Sequence, residues 1–235
     1  MSGQQQIVVI AKRPVPGRVK TRLTPPFTPR QAAGLAAAAL TDTLQAVAAV
    51  PDVRRILALD GLPGPWLPAG FAVLAQRGDG LDERLANAFS DAYRALPAPV
   101  VLVGMDTPQL TPALLGAALA RLTTCDAVLG PAADGGFWLL GLRRPDPGLL
   151  LGVPMSQPTT GSEQLGRLRA AGLSVALLPE LVDVDTAADA VTVAAQAPGS
   201  RFAATLAAYG SPGRLQQGLE QDADGGLGRQ PVPYA

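Results

Sequence analysis

The sequence predicts an α/β fold: a Rossmann-like, mostly parallel sheet covered by helices. Three observations carry this. Short apolar runs alternate with helix-period patterns along the chain; the first and fourth runs are apolar on both faces; and polar or charged loops follow several of the predicted strands. Strands that alternate with helices form parallel sheets with both faces covered, and ligands bind beyond the carboxyl ends of such strands.

"QIVVIA" opens the chain as a buried strand. Thr28-Pro29 reads as an N-cap followed by proline at the first helical position, and Leu40, Leu44 and Val47 share one face of the helix it starts. "RRILALD" and "FAVLAQ" are the next two strands. A second helix follows with Leu81, Leu85, Phe89 and Tyr93 at helical spacing. "PVVLVGMD" is the fourth, buried strand. Thr111-Pro112 starts a third helix, carrying Leu115, Ala118 and Leu122, and "DAVLGPA" is a fifth strand. Beyond it, "GGFWLLGLRR" reads as a strand, "TGSEQLGRLRAAG" as a helix and "LSVALLPELVDVD" as one or two strands. "TAADAVTVAAQ" and "RFAATLAAY" read as closing helices. Residues 1–210 are expected to form a single domain, and the turn-rich stretch 211–235 a disordered tail.

Composition narrows the chemistry. Nineteen Lys and Arg balance nineteen Asp and Glu over 235 residues, and aromatics make up 4%, which disfavours a nucleic-acid partner. The chain has no histidine, which excludes histidine-based nucleophilic triads, and its single cysteine, Cys125, excludes an internal disulfide or a cysteine-rich metal site. A metal would be held by carboxylate oxygens, which suits Mg²⁺ or Mn²⁺. The N-terminus lacks the pattern of a signal peptide and no apolar run is long enough to cross a bilayer, so a cytoplasmic protein with no membrane partner is expected.

Against this neutral background, "AKRPVPGRVKTRL" (11–23) carries Lys12, Arg13, Arg18, Lys20 and Arg22 with no acidic residue. Pro14, Pro16 and Gly17 stiffen and turn the loop, so its amides and cations can converge on an anion at small ordering cost. The spacing is neither a Walker A loop nor a dinucleotide fingerprint, and the bland alternative is a solvated basic loop. Asp106 directly follows the fourth strand, placed either to hold a divalent ion or to cap a turn at Thr107-Pro108. Asp183 and Asp185 lie two apart on a strand pattern and so face one side. Either is a candidate second ligand; Asp185, nearer the strand end, is preferred, unless it caps the helix starting at Thr186. Asp134-Gly135-Gly136 reads as a hairpin turn whose glycines would also admit a ligand close to the backbone. Arg77, Asp79 and Arg84 are candidate nucleotide contacts.

"AKRPVPGRVKTRL", "GMDTPQLTP", "GPAADGGFWLLGL" and "VDVDT", in that order, resemble the bacterial GT-A-fold transferases similar to 2-phospho-L-lactate guanylyltransferase, a family commonly catalogued as glycosyltransferases. The likeness covers roughly residues 6–195, with Asp82 standing where family members read glycine. It implies the GT-A, or nucleotide-diphospho-sugar transferase, form of the fold and use of Mg²⁺ or Mn²⁺. By resemblance, the loop containing Lys12, Arg18, Lys20 and Arg22 would hold the phosphates, and Asp106 and Asp185 the metal; Pro16 and Gly17, from the loop's own chemistry, and Arg84, from its place after the third strand, complete the expected nucleotide- and phosphate-binding set. Asp134, Gly135 and Gly136 would line the acceptor side.

The reaction expected is nucleotidyl transfer from an NTP to a small phosphorylated acceptor, with Lys20, Arg22 and Asp106 as the catalytic groups. Such an acceptor needs no general base, which suits a chain without histidine. The alternatives are glycosyl transfer from a nucleotide-diphospho-sugar and a catalytically silent nucleotide-binding protein. The base, the acceptor and the oligomeric state are left open.

Overall fold

The computed structural model describes residues 5–210, so the tail expected from 211 lies outside the described residues. Seven strands form one sheet: β1 (Gln6–Lys12), β2 (Arg54–Asp60), β3 (Phe71–Ala75), β4 (Val100–Val103), β5 (Ala127–Pro131), β6 (Phe137–Leu142) and β7 (Val175–Leu177). Their spatial order is β3-β2-β1-β4-β6-β5-β7. β6 runs antiparallel to both β4 and β5, and every other pair is parallel. The expected Rossmann-like, mostly parallel sheet is therefore present.

β1 shows why the sheet is covered on both sides. Ile7 and Val9 point to one face and Val8 to the other, and all three are fully buried. The first face is packed by α1 (Pro29–Ala48) and α3 (Pro112–Arg121), through Leu40, Leu44, Leu115 and Leu119. The opposite face is packed by α2 (Leu81–Ala95) and α4 (Thr160–Ala170), through Leu85, Phe89 and Leu168. Two closing helices, α5 (Ala187–Gln196) and α6 (Arg201–Tyr209), lie on the outer side of α1, where Leu35 and Ala39 meet Val193 and Phe202. Buried on two sides, α1 is rich in alanine, which lets neighbouring helices approach closely.

Helix starts follow the expected chemistry. Thr28 and Gln31 form a reciprocal capping box at α1, and Thr111 caps α3 ahead of Pro112. At α5 the cap is Thr186, boxed with Asp189, so the Asp185 side chain is not the cap.

The region 173–185 departs from a plain strand reading. β7 ends after three residues, ahead of Pro179, and the chain returns to the sheet only through a bridge between Leu181 and Ala132. It then crosses the sheet edge, where the Val184 amide donates to the Asp106 carbonyl at 2.9 Å. This crossing brings Asp183 and Asp185 to the carboxyl ends of the central strands.

α6 is docked by a charged cap supplied from α1: Asp42 accepts from the amides of Arg201 (3.0 Å) and Phe202 (2.8 Å). Replacing Asp42 with alanine is expected to lower stability by about 1–2 kcal/mol. Denaturant unfolding monitored by circular dichroism measures this as a reduced midpoint with an unchanged slope.

Candidate active site

Strand order reverses around β1 and β4, whose connections leave to opposite sides, so a crevice opens above their carboxyl ends. A cleft of about 880 Å³ lies there. The basic loop after β1, the turn after β3, the exit of β4, the β5–β6 turn, the segment before α4 and the 183–185 crossing all contribute to its lining.

Lys20 is the best-fixed cation. Its backbone is left-handed (φ 49°), a conformation that costs a non-glycine residue of the order of 1 kcal/mol. In return the side chain, 10% exposed, turns inward. Its ammonium pairs with Asp106 Oδ2 at 2.9 Å and donates to the Val184 carbonyl. Arg22 pairs with Asp185 at 2.5 Å. Lys12 and Arg18 also line the cleft, and among the described residues neither forms an ion pair with protein.

Asp183 is the carboxylate most affected by its surroundings. Burial first, then the neighbouring Asp134 carboxylate, push it up to about 6; Asp106 adds to this, and Lys20 opposes it. Asp183 thus sits in a group of like charges with Asp134 and Asp106, whereas Asp185 is turned to Arg22.

These groups fit a hard divalent cation. Asp106 Oδ1 is buried and has no hydrogen-bond donor, the available donors are all carboxylate oxygens, and crowded like charges favour a neutralising cation. Among the described residues no three potential ligands are gathered into a metal cage. The site therefore suits an ion held by one or two carboxylates, with substrate phosphates supplying further oxygens, which is how Mg²⁺ commonly binds.

The β5–β6 turn is the hairpin its glycines suggest, and it also reaches the cleft. Asp134 Oδ1 accepts from the Gly136 amide at 2.8 Å, and Asp134 and Gly136 line the cavity. Gly135 has φ 89°, and a Cβ there would stand 2.0 Å from the Pro158 carbonyl oxygen. The first turn of α4 closes on the same place: the Gly161 amide donates to the Gly135 carbonyl at 2.8 Å.

Several expected site residues act otherwise than expected. Pro16 and Gly17 shape the basic loop, with Gly17 at φ 74°, but neither lines the cleft, and Gly135 likewise contributes only through the turn it makes. Arg84 does line the cleft, yet its guanidinium is engaged by Asp60 at 2.9 Å and by the Gly78 carbonyl at 3.0 Å. Arg77 is turned away to Asp91. Asp82 has a structural partner, accepting from the Gly152 amide at 2.8 Å and so tying α2 to the loop before α4.

Gln76 escapes pattern reading. Its amide nitrogen donates to the carbonyls of Ala11 (2.8 Å) and Ala58 (2.9 Å), which fixes the orientation of the group across the ends of β1 and β2. Both donors are spent, so only its oxygen is left to accept a hydrogen bond at the cleft. An amide residue directly after a strand at the ligand edge was the available signal. Met155 and Gln157, from a loop whose sequence carries no motif, and Thr160, at the start of α4, also line the cleft.

The family described as "Uncharacterized protein conserved in bacteria (DUF2064)" matches residues 35–157. The chain belongs to this family. Solved structures share its fold. One, from Desulfovibrio desulfuricans G20 and described as a "putative nucleotide-diphospho-sugar transferase", is 29% identical, with TM-score 0.81 over 92% of this chain and 98% of that one. A CMP:2-keto-3-deoxy-manno-octonic acid synthetase complexed with CTP is 16% identical, with TM-score 0.53 over 83% and 98%. The 2-C-methyl-D-erythritol 4-phosphate cytidylyltransferase of Thermus thermophilus is 17% identical, with TM-score 0.51 over 84% and 100%. The last two show likeness of fold alone. No curated protein matches. The chain has the nucleotide-diphospho-sugar transferase fold, shared by nucleotide-dependent transferases, and among the described residues no helix is long and apolar enough to cross a membrane.

The clash at Gly135 makes a sharp test of the turn. Gly135→Ala is expected to cost about 2–4 kcal/mol, combining a strained φ with displacement of the Pro158 backbone. A thermal or denaturant melt checks this, and Gly17→Ala, where nothing lies within 4 Å of the added Cβ, should cost less.

Proposed function

We propose that this protein is a metal-assisted, nucleotide-dependent transferase that moves a nucleotidyl group from an NTP to a small acceptor. The observation that carries this reading is the meeting, in one cleft at the carboxyl edge of the sheet, of the cationic 12–22 loop with Asp106, Asp134, Asp183 and Asp185. Phosphates of the donor are complementary to the first group and a divalent cation to the second.

Lys12 and Arg18, with no protein counter-ion among the described residues, bind the outer phosphates. Lys20 lies deeper, beside Asp106, and offers its charge where negative charge builds on the reacting phosphate. Arg22, exposed and held by Asp185, is placed to follow the departing pyrophosphate. An acceptor oxygen forms the new bond to the α-phosphorus as the bond to the bridging oxygen breaks, and pyrophosphate takes the electron pair. Such chemistry depends chiefly on alignment and charge stabilisation, for which the loop after β1 and the carboxylate at the exit of β4 are placed. A divalent cation held by Asp106 with Asp183 or Asp185 would neutralise phosphate charge during this step.

A second reading, glycosyl transfer from a nucleotide-diphospho-sugar, is favoured by two observations. The relative from Desulfovibrio desulfuricans carries that description, and Asp134 and Asp183 are carboxylates able to take a proton from an acceptor hydroxyl.

A thermal-shift panel separates the readings: GTP, CTP, ATP, UTP, UDP-glucose and GDP-mannose, each with and without Mg²⁺. The expected result is a Mg²⁺-dependent rise in Tm with one NTP. A rise confined to a nucleotide sugar would replace the first reading by the second, and no rise with any member would refute both. Asp106→Asn is expected to reduce metal-dependent turnover by about 100-fold or more, measured as pyrophosphate release; nucleotide binding retained with no turnover in either protein would mark a silent binding protein.

A further inference from the structure

The two walls of the cleft differ in charge. Every cation lining it, Lys12, Arg18, Lys20, Arg22 and Arg84, comes from the first 84 residues. The later chain contributes carboxylates and apolar or neutral side chains, but no lysine or arginine. Of the four carboxylates that the later chain brings to the cleft, Asp106 pairs with Lys20 and Asp185 with Arg22, while Asp134 and Asp183 form no ion pair among the described residues, although Arg22 lies within electrostatic reach of Asp134 and Lys20 of Asp183. Arg84, on the α2 side, is already held by Asp60 and the Gly78 carbonyl.

Apolar side chains of α2 and of the later chain also line the cleft. Leu81, at the first position of α2, is 43% exposed although it is a large aliphatic side chain. Leu85, Phe137, Met155 and Pro158 line the cleft with it. Phe137 and Met155 are partly buried against the core under α2 and continue its surface outward. Gln157 is a neutral polar group there; the buried Thr160 hydroxyl is spent, donating to the Pro154 carbonyl and accepting from the Gln157 amide.

We infer that the acceptor is an uncharged hydroxyl compound with an apolar face, rather than a phosphate ester. The inference rests on the reading of the cleft as a transferase site. A phosphorylated acceptor would lay its dianion against carboxylates and hydrocarbon, where the cations within reach, Lys20 and Arg22, are already paired with Asp106 and Asp185. A divalent cation would do no more than offset the two unanswered carboxylates, and the donor's phosphates already compete for it. A neutral polyol or glycoside places its apolar face on Leu81, Phe137 and Met155 and its hydroxyls towards Asp134 and Gln157. In the transfer step the acceptor hydroxyl oxygen bonds to the transferred group and its proton passes to the Asp134 carboxylate. The leaving phosphate group departs with the bonding electron pair. Asp134 Oδ1 accepts from the Gly136 amide, which holds the side chain in place for that role.

The test compares two probes that share an aromatic ring and differ in charge: phenyl β-D-glucopyranoside and phenyl phosphate. Each is titrated calorimetrically into the full-length protein with Mg²⁺ and a saturating amount of the nucleotide that raises Tm. The glucoside is expected to bind at least tenfold more tightly than the phosphate. Phe137→Ala should weaken the glucoside about tenfold, and Met155→Lys should weaken it and strengthen phenyl phosphate by a similar factor. A retained nucleotide shift certifies that each variant is folded. Phenyl phosphate bound equally or more tightly by the wild-type protein, or no binding of the glucoside, would overturn the inference. Either result leaves the transferase reading standing while the nucleotide shift is present; loss of that shift in the wild-type protein is the separate failure of the transferase reading.

Discussion

The site depends on the ion pair between Lys20 and Asp106. It joins three segments that are remote in sequence: the loop leaving β1, the exit of β4 and the 182–186 crossing, whose Val184 carbonyl also receives the ammonium. The Lys20 side chain is 10% exposed, so its charge is costly to leave unpaired, whereas Asp106 remains 37% exposed and open to the cleft. The two oxygens of this carboxylate differ accordingly: one secures the lysine, and the other is buried without a hydrogen-bond donor. The left-handed backbone at Lys20 is the local conformational cost of aiming the side chain inward.

The pair follows from the strand order. β1 and β4 are adjacent and parallel, so their carboxyl ends lie side by side although α1, β2, β3 and α2 intervene in the chain. The connection from β1 to β2 leaves to one side, and the sheet beyond β4 continues on the other. A crevice above such a junction is a geometrical consequence of the winding. The cations that line the cleft accordingly come from the early chain, and four of its carboxylates, Asp106, Asp134, Asp183 and Asp185, from the later chain.

Close backbone packing sets the far wall. Gly135 passes against the Pro158 carbonyl, and Gly161 lies under the β5–β6 turn, where a Cβ would stand 2.4 Å from the Gly136 carbonyl oxygen. The first turn of α4 is thereby fixed to the turn that carries Asp134, and Asp82 holds the preceding loop to α2 through the Gly152 amide. The loop carrying Met155 and Gln157 runs between these two attachments. Its place at the cleft is decided by glycine contacts and one carboxylate on a neighbouring helix.

By itself, the sequence determined the elements and their chemistry. The apolar periodicity of β1 and β4, the Thr28-Pro29 and Thr111-Pro112 helix starts and the clustering of cations in 12–22 are local properties, encoded by residues near one another. For the same reason the basic loop, Asp106 and the Asp134 turn, all of which line the cleft, could be read from the sequence as candidate site residues. Tertiary structure alone decided which groups meet. It turned Asp185 to Arg22, placed Asp183 among Asp134 and Asp106, engaged Arg84 with Asp60, and fixed Gln76 across two strand ends. Each of these depends on contacts between residues far apart in the chain, where the reversal of β6 and the early end of β7 set the approach. Charge balance within a cleft is a property of such contacts, and no local pattern records it.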